Sequence, residues 1–571
     1  MRRAAASFAS LVLIASTLPV APAWSETPED AGCQWAEQQP EDVDFDNPEQ
    51  QLEKVPVLLI PDGASIANVR ITSQPIFDTD DPDQDGWFQR AVNVANVPTR
   101  EGAIASQLVF SEGDRYEPSR LQESERVLRD KDYLVDAWVR PYRVCGDQVD
   151  VAVVTRDTWT LLPTVGFSRS GGENTTHLGL SDDNFLGTGK ALSLSRSSDE
   201  ARTEYGLEYF DPNILGSRWQ TRLNYVDSSD GLERGFELER PFYRRAAPWS
   251  AGIRLRDGRR EEDRYFGGDA VSTFGRELEE ASLHTGVTLS STSASDRRLL
   301  AGYRYRQDRF RELDGETAPV PFPQDRTLSY PWLGFSYEQN YFHETINLTN
   351  IQRVEDVRDG ILFRTEVGYS RRDLGATSDQ LVLDTVFSNS LVATDTQFAE
   401  FEVHQEGRYD LDNNRFESLR VHLDTEYFYG GGHQATGWYT RAWLSSAKNL
   451  TADEQLTLGG DNGLRGYPLR YQQGNQRGLF TLEKRYFSDL HPFHLFRLGG
   501  VAFFDAGRAW FRDGRENGPD TGVLRNLGVG LRASSSRFEV SRMLHLDLAF
   551  PLDGDDDVAE VQMLIRGKSH F

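Results

Sequence analysis

Residues 419–429, LRVHLDTEYFY, alternate in polarity along an extended chain: Leu419, Val421, Leu423, Tyr427 and Tyr429 share one face, and Arg420, His422, Asp424 and Glu426 the other. Side chains alternate faces only in a strand, so this period of two demands a sheet with one dry and one wet side. LHLDLAF repeats the pattern with Leu544, Leu546, Leu548 and Phe550 against His545 and Asp547, and YRYR sets Tyr303 and Tyr305 against Arg304 and Arg306. After Pro163, segments of roughly ten residues alternate this way and are separated by Gly, Asp, Asn and Ser, as in transmembrane barrels. A soluble β-sandwich alternates too, but a run of roughly 400 residues without a convincing long helix exceeds a usual single sandwich. Aromatics at the segment ends resemble interfacial girdles, and a face charged over many segments suits a wet lumen.

The expected fold is therefore a transmembrane antiparallel β-barrel over 161–571. At roughly 25 residues per strand and connection it would hold about 16 strands, an even number whose closure leaves no edge in lipid. A mean hydropathy of −0.56 is too polar for membrane helices, while 49 glycines and 11% aromatics suit strands and turns. A formal net charge of −27 argues against a nucleic-acid partner, whose phosphates would be repelled. The last segment, VQMLIRGKSHF, puts Val561, Met563, Ile565 and Phe571 in one parity. That ending resembles the C-terminal signal by which outer-membrane barrels are recognised for assembly.

Upstream of the barrel, Arg2 and Arg3 precede an apolar run ending at Ala21-Pro22-Ala23, the pattern of a removable signal peptide over 1–23. Ser16, Thr17 and Pro19 interrupt the run, which is too short for an anchoring helix of about 20 apolar residues. Residues 24–65 are rich in Glu, Asp, Gln and Pro and are expected to form a flexible acidic extension. Over 66–160 a compact α+β domain is expected. NVRITSQPIF reads as a strand, Trp87 to Leu108 carries mixed helical signals, and EPSRLQESERVLRD reads as a helix with Leu121, Val127 and Leu128 on its apolar face. A hairpin turned at Gly146-Asp147 follows, with Val149, Val151 and Val153 on one face. Cys33 and Cys145, the only cysteines, can pair in an oxidising compartment or remain two thiols.

Four motifs in order carry a family resemblance: GLSDDNFLGTGK at 179–190, GGDNGLRGYP at 459–468, FFDAG at 503–507 and LGVGLR at 527–532. Together they resemble the BamA/TamA-like outer-membrane assembly and transport superfamily, which also contains two-partner secretion transporters. FSEGDRYEPSRLQESERVLRDKDYLVDAWV at 110–139 is similar to a POTRA domain, the periplasmic module of that superfamily. One such module departs from the several of the well-understood insertases and from the paired modules of two-partner secretion. Counting strands back from Phe571 places Gly463, Leu464, Arg465, Gly466 and Tyr467 between strands eleven and twelve of sixteen, in the sixth extracellular loop.

Period two in FFDAG puts Phe503, Asp505 and Gly507 on one face, the better candidate for the lumen. A guanidinium presents a planar fork of donors matched to a carboxylate, so Arg465 and Asp505 can pair if the loop folds inward. The resemblance implies that pairing. Gly463 and Gly466 would permit the close turn and Tyr467 would brace it on the wall. In the α+β domain, VDVAVV or VRITSQPI could offer a strand edge to an extended client.

Chemical constellations are absent. DPDQDG at 81–86 begins like a calcium loop, but Val92 stands where a bidentate Glu is required. LDGDDD at 552–557 reads as a solvated turn near surface lipids, and His491 and His494 lack further ligands at metal-binding spacing. No G-x-S-x-G elbow, P-loop or H-E-x-x-H occurs. The expectation is a protein without enzymatic activity, cofactor or metal site, in the bacterial outer membrane with its N-terminal domain in the periplasm. It would act in outer-membrane protein insertion or translocation, its partners being outer-membrane lipids, unfolded outer-membrane or exported clients, and periplasmic or lipoprotein accessory factors. A passive channel and a lipid-handling barrel are the alternatives.

Overall fold

A computed structural model describes residues 32–47 and 58–568, apart from 200, 395, 431–433, 461, 520–521, 539–542 and 556–557. The leader at 1–23 and Phe571 lie outside the described residues. The N-terminal domain is a four-stranded sheet of β1 (Gln34–Trp35), β2 (Ser65–Gln74), β3 (Leu134–Cys145) and β4 (Gln148–Asp157) in the order β1-β3-β4-β2. Helices α1 (Trp87–Ala95), α2 (Glu101–Ala105) and α3 (Pro118–Arg129) separate β2 from β3. Gly146, at φ +64°, turns the β3–β4 hairpin. Val149, Val151 and Val153 pack with Leu121 and Leu128 of α3 in the main core, while Val127 looks away from it.

The other sheet face is covered by the segment that composition assigns to a flexible extension. Val43 and Phe45 are buried there against Trp138, Tyr142 and Val154, and a Cys33–Cys145 disulfide closes the pairing of β1 with β3. Hydrophobic side chains spaced two apart, diluted among acids, hold the segment down. The edge readings also separate: β4 is flanked by β3 and β2, so VDVAVV is interior and only β2 lies at an edge.

From Leu161–Ser170 to Gln562–Lys568, twenty antiparallel strands close into one barrel. The expected count of about 16 is too low because the first six strands, all within residues 161–240, are only 8–10 residues long and joined by connections of two to eight residues. Most of the others are longer, up to 23 residues in Asp269–Ser291. At about 3.3 Å per residue that strand runs roughly 75 Å, well past an apolar band about 25 Å tall even when tilted. Outward residues such as Val421, Tyr427, Leu544 and Leu548 are exposed, whereas His545 and Asp547 are buried inside, as the alternation requires.

Neighbouring strands share from seven register pairs, as between Met543–Pro551 and Gln562–Lys568, to eighteen. Among the described residues the first and last strands share one, Arg169 with Ile565. Two insertions enter the lumen from opposite ends. A hairpin, Tyr341–Ile346 with Val354–Asp359, follows the tenth strand, Arg326–Gln339, at the end where the small domain sits. A loop built on Leu456–Leu458 and Gln472–Gly474 follows the fifteenth strand, Thr436–Lys448, at the other end. The arginine motif is therefore in the eighth loop of that side, not the sixth.

Candidate functional site

Between its two short strands the eighth loop runs down the lumenal wall, and burial of Leu464, Tyr467 and Tyr471 against Leu458, Leu479 and Leu524 holds it there. Gly463 adopts φ +114°, and a Cβ on Gly466 would stand 2.7 Å from that of Asn526, so both turn and approach need glycine. The Gly466 amide donates to Asn526 Oδ1 at 3.1 Å. The Tyr467 hydroxyl shares its one hydrogen between the carbonyls of Arg525 and Asp553, 2.8 and 3.0 Å away, and accepts from the Arg525 amide at 3.1 Å.

These contacts aim Arg465, 5% exposed, at the wall. Its Nε and Nη2 donate to the two oxygens of Asp505 at 2.8 and 2.7 Å, a bidentate pair, and Nη1 donates to Glu483 Oε1 at 2.9 Å. The guanidinium lies 3.5 Å from the centre of the Phe503 ring. Asp505 is completely buried and also accepts from Thr481 and Asn526, so its lone pairs are largely filled. Phe503 and Gly507 share its inward face, as the parity requires.

Glu483 extends the site. Its second oxygen accepts from Arg485 Nε at 3.0 Å, and Arg485 Nη1 donates to the Leu348 carbonyl at the tip of the opposite hairpin, 3.2 Å away. On the next strands, Arg532 pairs with Asp547 at 2.6 Å, and Asp547 is 3.8 Å from Arg465. Three guanidiniums thus face three carboxylates, and mutual neutralisation makes so many ions tolerable in a buried place. The arrangement ties the loop to the wall.

Leu348 and Ile351 of the hairpin tip sit in an apolar cluster with Phe428, Phe487, Val501, Phe503 and Met543. Glu355 folds back over the tip and accepts the amides of Leu348, Thr349 and Asn350 at 3.0–3.1 Å. At its base Asp356 accepts from Arg129 of α3 at 2.5 Å. A line of contacts therefore runs from the small domain through the hairpin to Arg465.

The loop also crosses the seam. The Gly460 carbonyl accepts from Ser170 Oγ on the first strand at 2.8 Å and from Arg566 Nη1 on the last at 3.0 Å. Val561, just before the last strand, and Met563 on it are exposed, and Ile565 makes the one seam pair among the described residues. Sequence reasoning missed Glu483 and Arg485, although FTLEKRYF sets them opposite Phe480, Leu482 and Tyr486. It missed the hairpin as well, whose six-residue strands alternate side chains between faces like those of the barrel.

The Omp85 superfamily domain matches residues 184–564. Among solved structures the chain aligns with CdiB from Acinetobacter baumannii, at 13% identity and a TM-score of 0.38 over 88% of this chain and 73% of that one. It also aligns with BamA from Haemophilus ducreyi lacking POTRA domains 1–3, at 14% identity and 0.38 over 88% and 84%. CdiB from Escherichia coli aligns at 12% identity and 0.35 over 91% and 94%. No curated protein matches the sequence.

Proposed function

Since the chain belongs to the Omp85 superfamily, and so is a β-barrel of the bacterial outer membrane, we propose that it inserts or translocates protein clients. In this reading the small domain is a single POTRA-like module in the periplasm. An extended client segment would add to its β2 edge and pass to the barrel, where the seam would receive it. The observation that carries the proposal is the seam itself, which among the described residues has one register pair where every other junction has at least seven. Unpaired N–H and C=O groups on facing strands are a template for a further strand. The Arg465 tether would act as a latch, because the loop it anchors holds Ser170 and Arg566 to one carbonyl. No covalent step or cofactor enters this mechanism. A passive channel is disfavoured by a lumen filled from both ends.

Cysteines at Arg169 and Ile565, oxidised to lock the seam, test the reading in liposomes supplied with an unfolded barrel client. Locking should cut client insertion at least tenfold, with recovery on reduction and wild type reduced in parallel as control. Equal insertion by locked and unlocked protein would remove the seam as the route. Solute-driven swelling without insertion would instead identify a channel.

A further inference from the structure

Where α3, the turn at 241–248 and the lumenal hairpin meet, they line an open cleft of about 570 Å³, within the range of small-ligand sites. Seven arginines and five acidic residues line it, in a chain whose net charge is −27. Most of the acids are engaged. Glu123 accepts the Arg245 amide at 2.7 Å, Glu355 caps the hairpin tip, Asp356 takes Arg129, and Glu338 is shared by Arg298 and Arg364 at 3.4 Å each. Asp130 is turned to solvent.

Behind the lining, buried Asp296 stands 3.9 Å from Arg245 and 3.5 Å from Arg298, and Glu344 stands 3.6 Å from Arg129, so the charges nearly balance while individual N–H donors are left over. Nε of Arg244 and of Arg298 are buried without a hydrogen-bond acceptor, and Arg245 Nε and Arg358 Nη1 face the carboxylates of Asp296 and Glu338 only at 3.9 Å, beyond hydrogen-bond reach; Arg298 as a whole is 8% exposed. Arg126 stacks 4.3 Å from the Phe342 ring, and burial draws its guanidinium below the ordinary arginine range. Buried donors without acceptors are costly, and a ligand supplying acceptors recovers that cost. The donors arrive from three directions: Arg126 from the helix, Arg244 and Arg245 from the turn, Arg358 from the hairpin. A planar carboxylate offers oxygens in one plane, whereas a tetrahedral phosphate offers them in several, and arginine forks match phosphate well. The turn ends at Trp249, stacked by Arg240 at 3.9 Å and paired edge-on with Trp219, an aromatic arrangement suited to a membrane interface.

We infer that this cleft binds a phosphate group, carried by a lipid headgroup of the adjacent leaflet or by a small soluble phosphate. Occupancy would fasten α3, the barrel turn and the hairpin to one another and so hold the small domain on the barrel mouth. The inference does not depend on client insertion.

Full-length protein in phosphate-free detergent, titrated with pyrophosphate, tests the soluble source, and nanodiscs with or without phosphatidylglycerol test the headgroup. The readouts are calorimetric binding and the rate of tryptic cleavage in the hairpin at Arg353 and Arg358. Wild type should bind and be protected, and Arg244→Gln/Arg245→Gln should weaken both at least tenfold. Arg126→Gln, on the small domain, gives the same readout if the double variant fails to fold. Protection by pyrophosphate alone assigns a soluble ligand, and protection by phosphatidylglycerol alone assigns a headgroup. Absence of both, unchanged binding in the variants, or an equal loss in the remote control Arg512→Gln overturns the inference.

Discussion

At the scale of one residue, Arg465 is worth more to the loop than an exposed arginine would be, because its partners have no water to fall back on. Removing one member of a buried ionic group costs about 3–5 kcal/mol, since the remaining charges stay uncompensated. Arg465→Ala should therefore release residues 459–471 from the wall, raising their cleavage by added protease at least tenfold while the barrel stays inserted. Arg465→Lys keeps the charge but loses the fork that meets both oxygens of Asp505, so its cleavage should be intermediate. Protease resistance equal to wild type in the alanine variant would show that apolar packing of Leu464 and Tyr467 suffices. Asp505 was legible in sequence because parity in FFDAG assigns it a face, and Glu483 was legible by the same rule. Which of several inward carboxylates meets the arginine was not, since Asp505, Glu483 and Asp547 lie on three different strands.

Among elements, the lumenal hairpin sets how open the barrel is on the side of the small domain. Its tip contributes Leu348 and Ile351 to the wall cluster and is capped by one side chain, Glu355. Replacing residues 342–358 by a short Gly-Ser turn should raise single-channel conductance in planar bilayers severalfold over wild type. An unchanged conductance would mean that the eighth loop alone closes the lumen. Glu355→Ala is the milder form: a buried amide without its acceptor costs about 1–3 kcal/mol, so hydrogen exchange at 348–350 should accelerate about tenfold or more. Strands of ordinary length were readable from alternation. The short early strands were not counted correctly because one turn per 25 residues presumes a uniform strand length, and here the described lengths run from 7 to 23 residues.

Across the whole molecule, the small domain is not hung on a linker but bonded to the barrel rim. Asp46 pairs with Arg537 at 2.7 Å and with Arg156 at 2.9 Å, and the Trp159 amide donates to the Arg537 carbonyl at 2.7 Å. Beside this junction His491 is pushed down to about 3, first by burial and then by the charges of Arg497 and Arg537. With the unfolded imidazole near 6.5, the unfolded chain binds the extra proton between those values, so stability falls as pH drops from about 6.5 towards 3. Thermal unfolding of wild type should show that decline, and His491→Asn should flatten it; an identical slope in the variant would assign it to other groups. Alternation, glycine-rich turns and the ordered motifs determined, from sequence alone, a closed antiparallel barrel of one superfamily with an arginine loop beside an acidic strand. These are local properties, written within ten residues or so. Strand number, the single seam pair among the described residues, the plugging hairpin and the ion cluster were decided only in three dimensions. They rest on contacts between residues 40, 137 and 290 apart, Arg465 with Asp505, Arg485 with Leu348 and Ser170 with Gly460. Such contacts exist only once register and closure bring distant strands together, and no short-range pattern encodes them.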